Sequence, residues 1–119
     1  MGGRTRVLIT DDRSRSRKGL RALLSTNAQL EVVGEAKNGK EAVELAGDLL
    51  PDVVLMDVRM PVMNGVDATR TIKDRWPEVR VVVLSMYQRH LDEAKDAGAD
   101  FFLQKGCPTQ DLFEAILGS

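Results

Sequence analysis

Soft metal ligands are nearly missing from this chain. Its 119 residues hold one cysteine, Cys107, and one histidine, His90. No internal disulfide can form, and thiolates and imidazoles cannot assemble a zinc site. A lone cysteine fits a reducing cytoplasm, the compartment expected here. Charge of one sign is missing too. Seventeen basic residues stand against 18 acidic ones, leaving a net charge of −1, so no global field draws the chain to nucleic acid. The basic residues between Arg13 and Arg21 are spaced for the wet side of a helix. No run approaches the ~20 apolar residues of a membrane span. Met1-Gly2-Gly3 lacks the hydroxyl residue that myristoylation wants, because Arg6 stands there, and no secretory leader is expected. Neither a Walker loop nor a Rossmann glycine fingerprint occurs, which disfavours nucleotide binding. With no repeats or linkers, the length suits one domain, residues 1–119, burying about two-thirds of its unfolded surface.

What is present is alternation. Arg6-Val7-Leu8-Ile9-Thr10 reads as a first strand running into Asp11-Asp12. A helix from about Ser14 carries Leu20, Leu23 and Leu24 on one face and ends at Ser25-Thr26-Asn27. Glu31 to Ala36, charged at both ends with Gly34 inside, suits an edge strand. The second helix opens on Asn38 with Glu41 three residues on, a capping box. It turns Ala42, Leu45, Ala46 and Leu49 inward and stops before Pro51. Val53-Val54-Leu55-Met56-Asp57 is a strand covered on both faces that ends on a carboxylate. After a loop with Pro61 and Asn64-Gly65, a third helix to Arg75 buries Val66, Thr69, Ile72 and Trp76, and Pro77 ends it. Val79 to Ser85 is another strand, apolar throughout from Val81 to Leu84 and so also covered on both faces. The helix from Gln88 to Ala97 has only Leu91 and Ala94 as its stripe, and Gly98 supplies a left-handed stop. Phe101 to Gln104 is the fifth strand, in which Phe101 is expected to pack, and it leads into Lys105. The last helix has Pro108 at its first position and buries Leu112, Ala115 and Ile116.

Five rounds of strand then helix with short connections predict an α/β fold. The expected architecture is a doubly wound, five-stranded parallel sheet in a flavodoxin-like three-layer sandwich, order 2-1-3-4-5. That order makes the first and third strands neighbours, about 4.8 Å apart, and brings Asp11 and Asp12 beside Asp57. Two unit charges ~4 Å apart repel by about 4 kcal/mol at an effective dielectric of 20, so three carboxylates call for a cation. All the ligands are hard oxygens, which points to magnesium, with a loop carbonyl near Arg59 completing the set. The neighbouring strand ends contribute Ser85, a hydroxyl, and Lys105, an ammonium. A metal, a donor and a positive charge around Asp57 complement a phosphoryl group in transfer. Asp57 keeps an oxygen free to act as nucleophile and form an aspartyl phosphate.

Asp11-Asp12, Asp57, Ser85 and Lys105, each at a strand end, together resemble the response-regulator receiver domain of two-component signalling. Leu55 to Gly65 is similar to that family's signature around its phosphorylated aspartate. Val-Val-Gly-Glu-Ala before Asn38-Gly39, and Ala97 to Gly106, look most like the NarL/FixJ (LuxR-type) branch, whose members usually carry a C-terminal helix-turn-helix. The resemblance implies that Asp57 takes phosphate from a histidine kinase. Asp12 and Asp57 would hold Mg2+ directly with the Arg59 carbonyl, and Asp11 through water. Lys105 would contact the phosphoryl group, Ser85 would close on it, and Phe102 would be the switch aromatic. Two positions depart from the family pattern. Gly106 follows Lys105 where many receivers have proline after a cis bond, and Cys107 takes the helix-cap position where serine caps better.

Taken singly, these residues also fit plainer roles. Asp11 and Asp12 suit a helix cap, Ser85 a strand-end hydroxyl, Lys105 a solvated loop charge, Phe102 ordinary packing and His90 a solvated side chain. Arg59 and Tyr87, two residues past Asp57 and Ser85, are expected to tune the lifetime of the acyl phosphate. The favoured function is a phosphorylation switch. In it Ser85 is drawn in, Phe102 turns inward, and the surface of the fourth helix, fifth strand and fifth helix changes partners. A homodimer on phosphorylation is one such partner; DNA is contacted only through an output domain absent from this chain, and no membrane is involved. The chain is expected to be no enzyme beyond its own phosphorylation and dephosphorylation. Competing readings are a phosphate-independent binding module and a haloacid-dehalogenase-type hydrolase. The latter wants a second acid where Arg59 stands.

Overall fold

The computed structural model describes residues 3–118. Met1 and Gly2, weighed above for acylation, and Ser119 lie outside the described residues. In chain order the elements are β1 (Thr5–Thr10), α1 (Ser14–Leu24), β2 (Leu30–Ala36), α2 (Gly39–Leu49) and β3 (Val53–Asp57), then α3 (Gly65–Arg75), β4 (Arg80–Ser85), α4 (Gln88–Asp96), β5 (Phe101–Gln104) and α5 (Thr109–Leu117). All five strands pair in parallel, in the order β2-β1-β3-β4-β5.

The continuous apolar runs are sorted by the two-residue period of a strand. Val54 and Met56 of β3 and Val81 and Val83 of β4 enter one core with Ala42, Ala46, Ile72 and Ala94, beneath α2, α3 and α4. Val53 and Leu55 with Val82 and Leu84 enter a second core with Leu24, Leu112 and Ile116, beneath α1 and α5. A carboxylate at the end of β3 thus projects from a strand clamped on both faces, and its backbone has little freedom to wander.

Side-chain caps fix the helices that flank this strand. Asn38 accepts from the Glu41 N–H at 2.8 Å, and Glu41 reaches back to the Lys37 N–H at 3.1 Å, one residue beyond the position in a standard capping box. Asn64 caps α3 in the same way, accepting from the Asp67 N–H at 2.9 Å. α2 stops at Leu50, which adopts φ 45 immediately before Pro51. Gly98, at φ 98, reverses the chain after α4, and the Ala99 N–H returns to the Ala94 carbonyl. Lys73 supports the far side of the sheet. Its ammonium donates to the Pro77 and Val79 carbonyls and to Asp100 Oδ2, at 2.8–2.9 Å, and the same Asp100 oxygen accepts the Val81 N–H.

Three expectations are corrected. Phe101 does not pack away: it is 37% exposed and Phe102 38%, because β5 is a four-residue edge strand with no neighbour beyond it. Pro108 is the cap residue of α5, not its first helical residue, and its carbonyl accepts from the Asp111 and Leu112 N–H groups. Cys107 therefore precedes the cap; its half-buried thiol packs on the core beneath α5, and burial raises its pKa.

Candidate functional site

The carboxyl ends of the strands open into a cleft of about 610 Å3 whose wall includes Asp12, Asp57, Arg59, Ser85, Tyr87 and His90. The β3–α3 loop forms its floor, and two glycines hold that loop against the site. Gly65 donates its N–H to the Val58 carbonyl at 2.8 Å. A Cβ at Gly65 would run into the Asp57 carbonyl oxygen, so only glycine lets α3 start this close to the strand end. Gly39 donates to the Met63 carbonyl at 2.9 Å, and a Cβ there would strike the same oxygen. Between them Val62 sits at φ 70, with the Met63 N–H returning to the Pro61 carbonyl at 2.7 Å. This is a γ-turn of the rare, strained hand, unusual for a β-branched residue.

Asp11, Asp12 and Asp57 each offer a carboxylate oxygen, and these oxygens lie within 4.8 Å of one another. Asp11 and Asp57 are buried while Asp12 is exposed. Asp57 Oδ1 accepts the Val58 N–H at 2.8 Å and lies 3.3 Å from Lys105 Nζ. The same ammonium lies 3.6 Å from Asp11 Oδ2. Burial raises the Asp57 pKa above the ordinary carboxylate range, against the pull of Lys105, and the nearby Asp11 charge adds to the rise. Three carboxylates stand against one ammonium, and the donors are all hard oxygens. The residues present fit a divalent ion of the magnesium type.

Lys105 reaches this point because its N–H bonds the Ser85 carbonyl at 2.9 Å, which splices β5 to the end of β4. The peptide bond after Lys105 is trans, and Gly106 takes φ 90. Proline is thus replaced by a residue that makes the turn through its own φ. The outer wall is aromatic and cationic: the Arg59 and Arg89 guanidiniums lie 5.8 and 5.5 Å from the centroid of the Tyr87 ring.

Two functional candidates were hidden from sequence reasoning. His90, expected to be solvated, is partly buried, and its Nδ1 is 3.1 Å from Ser85 Oγ. Its ring stands edge-on to Tyr87 at 5.4 Å. A signal for this exists, because His90 is the third residue of α4 and helical side chains lean toward the N-terminus. Arg17, expected on the wet side of α1, instead donates to the Asp11 carbonyl at 2.7 Å and pairs with Glu35 at 3.3 Å. Hydrogen bonds from Arg21 and then Arg17 hold the Glu35 carboxyl below its ordinary pKa.

Comparison with known proteins identifies relatives in sequence and in fold. Response regulator protein VraR from Staphylococcus saprophyticus is 41% identical over 113 residues, covering 93% of this chain and 54% of that protein. Transcriptional regulatory protein LnrK from Bacillus subtilis is 40% identical over 114 residues, covering 94% and 52%. The chain therefore spans about half the length of the curated relatives it matches. Among solved structures, the signal receiver domain of the response regulator NarL from Mycobacterium tuberculosis superimposes with a TM-score of 0.90 at 33% identity, covering 97% of this chain and 94% of that one. No helix among the described residues is long and apolar enough to cross a membrane. Residues 7–117 match the family described as response regulator receiver domain, and the chain belongs to that family.

Proposed function

We propose that Asp57 is the phosphoacceptor of a signalling switch, taking its phosphoryl group from the phosphohistidine of a histidine kinase. One observation carries this reading: Lys105 Nζ lies between Asp57 and Asp11, 3.3 and 3.6 Å away, inside a cluster of three strand-end carboxylates. Lys105 and the Val58 N–H both engage Oδ1, which leaves Oδ2 of Asp57 open for in-line attack. As the new O–P bond forms, the P–N bond of the donor breaks and the imidazole leaves with its electron pair. Asp11, Asp12, Asp57 and the Arg59 carbonyl would hold Mg2+. Bound there, the ion neutralises charge on the transferring oxygens. Lys105 holds the anion, and Ser85 donates its hydroxyl hydrogen to it. Arg59 and Tyr87, stacked at the rim, limit the approach of water and so set the lifetime of the acyl phosphate. The reaction is stoichiometric, and the chain is not a turnover enzyme.

The output of the switch is the surface of α4, β5 and α5, where Met86, Tyr87, Phe101 and Phe102 are exposed. Movement of Ser85 lets Phe102 turn inward and changes which partner that surface accepts, a second copy of the chain included. Transcription is the favoured end point, reached through a DNA-binding output domain outside residues 1–119. The description of LnrK as a transcriptional regulatory protein supports it. Incubation with radiolabelled acetyl phosphate and Mg2+ should label the chain, and Asp57→Asn should abolish labelling. Persistent labelling of that variant would refute the assignment.

A further inference from the structure

We infer that His90 is a latch on Ser85, competing with the phosphoryl group for the serine's single hydroxyl hydrogen. The inference rests on the reading of Asp57 as phosphoacceptor. Ser85 is 2% exposed, and a hydroxyl so buried is paired. Its Oγ accepts the Tyr87 N–H at 3.2 Å. The only other contact within bonding range among the described residues is His90 Nδ1 at 3.1 Å. A neutral imidazole with its proton on Nε2 accepts at Nδ1, and this arrangement alone gives the buried hydroxyl hydrogen an acceptor. The ring is oriented for it by the edge-on contact with Tyr87 and by its place in the first turn of α4.

The consequence follows from counting donors. One hydroxyl has one hydrogen, and a phosphoryl oxygen on Asp57 is a charged acceptor that binds it more strongly than imidazole does. Occupation of the site therefore takes the hydrogen from His90 and releases the first turn of α4 from the end of β4. α4 has no side-chain cap of its own, so the Ser85 contacts with the Tyr87 N–H and with His90 are the hydrogen bonds that tie its start to the end of β4. His90 is accordingly a positioning residue: among the described residues its side chain hydrogen-bonds Ser85 and neither Asp57 nor the metal ligands, and it sets how readily Ser85 answers them.

Beryllofluoride with Mg2+, a stand-in for the phosphoryl group, provides the test on the chain as it is. His90→Ala removes the competing acceptor and should bind beryllofluoride about two- to tenfold more tightly, the equilibrium weight of one neutral hydrogen bond. His90→Asn restores an acceptor oxygen near the Nδ1 position and should return toward wild-type affinity. With Ser85→Ala already present, His90→Ala should change nothing. In the wild type, the His90 Nδ1 nitrogen resonance should move toward that of a free imidazole on addition of the anion. Unchanged or weaker binding by His90→Ala, or an effect that persists without the Ser85 hydroxyl, overturns the latch alone. Failure of the wild-type chain to bind beryllofluoride overturns the phosphoacceptor reading, and the latch falls with it.

Discussion

Replacing Asp57 with asparagine should stabilise the metal-free protein. On the scale of an effective dielectric near 20, the Lys105 ammonium at 3.3 Å favours the ionised Asp57 carboxylate by about 5 kcal/mol. The Asp11 carboxylate, with an oxygen within 4.8 Å, opposes it by about 3.5 kcal/mol. The small remainder in favour of charge meets a burial penalty of several kcal/mol for an ion in such a place. Burial wins, which is why the Asp57 pKa is raised. Because the folded-state pKa lies above that of the unfolded chain, the native state holds the proton more tightly. Stability is therefore full below the ordinary carboxylate range and is lost as pH rises through the raised value. The neutral amide of Asp57→Asn carries no such penalty, so the variant should exceed the wild type at neutral pH by about 1–2 kcal/mol, or about 4–8 °C in Tm. The assay is thermal unfolding in EDTA across pH. The gap should be open at neutral pH and close on acidification, and Mg2+ should raise the wild-type Tm more than that of the variant. A variant less stable than the wild type in EDTA at neutral pH, or a gap indifferent to pH, refutes the electrostatic account of the site.

The loop beneath the site yields further expectations. Gly65→Ala should lose about 3 kcal/mol in urea unfolding, at the upper end for overpacking, and label poorly, because its Cβ displaces the Asp57 carbonyl. Val62→Gly relieves a residue at φ 70 that is 78% exposed and makes little contact. It should gain about 1 kcal/mol by the same measurement. Lys73→Ala removes three hydrogen bonds, one of them to Asp100, whose carboxylate keeps the Val81 N–H. A loss of about 2 kcal/mol is expected, with labelling of Asp57 intact.

The fold was legible because its strongest signals are local and periodic. Val53 to Met56 and Val81 to Leu84 are apolar without interruption, which demands cover on both faces, and alternation sends them into two cores. Asp11, Asp12, Asp57, Ser85 and Lys105 were readable as a group because strand order places strand ends side by side. What escaped depends on contacts made across turns and between elements, which periodicity does not report. Phe101 looks like a core residue until β5 proves to be an edge. Arg17 has the spacing of a solvated charge, yet its guanidinium folds back to the Asp11 carbonyl. His90 lies on a helix face whose periodicity says only that it is not core, and its partner stands across the β4–α4 turn. The strain at Val62 follows from a loop pinned at both ends by glycine contacts, which no residue preference announces.

The energetic scale of the proposed switch limits what phosphorylation alone can do. Moving Ser85 forfeits its bonds to the Tyr87 N–H and His90, about 1–3 kcal/mol together, and gains one charge-assisted bond of about 1.5–3 kcal/mol. These nearly cancel. Turning Phe102 inward from 38% exposure covers about 75 Å2 of ring, worth about 2 kcal/mol. The sum is a few kcal/mol, short of the roughly 5.5 kcal/mol needed to carry a population from 1:99 to 99:1. Either the resting chain already visits the active arrangement at more than a per cent, or a partner on the α4–β5–α5 surface supplies the balance. Relaxation-dispersion NMR of the unphosphorylated chain distinguishes the two: exchange confined to α4, β5 and the end of β4 marks the first. Flat profiles there leave the partner as the source, and the phosphorylated chain alone should then show a mixture that resolves to one state when its partner is added.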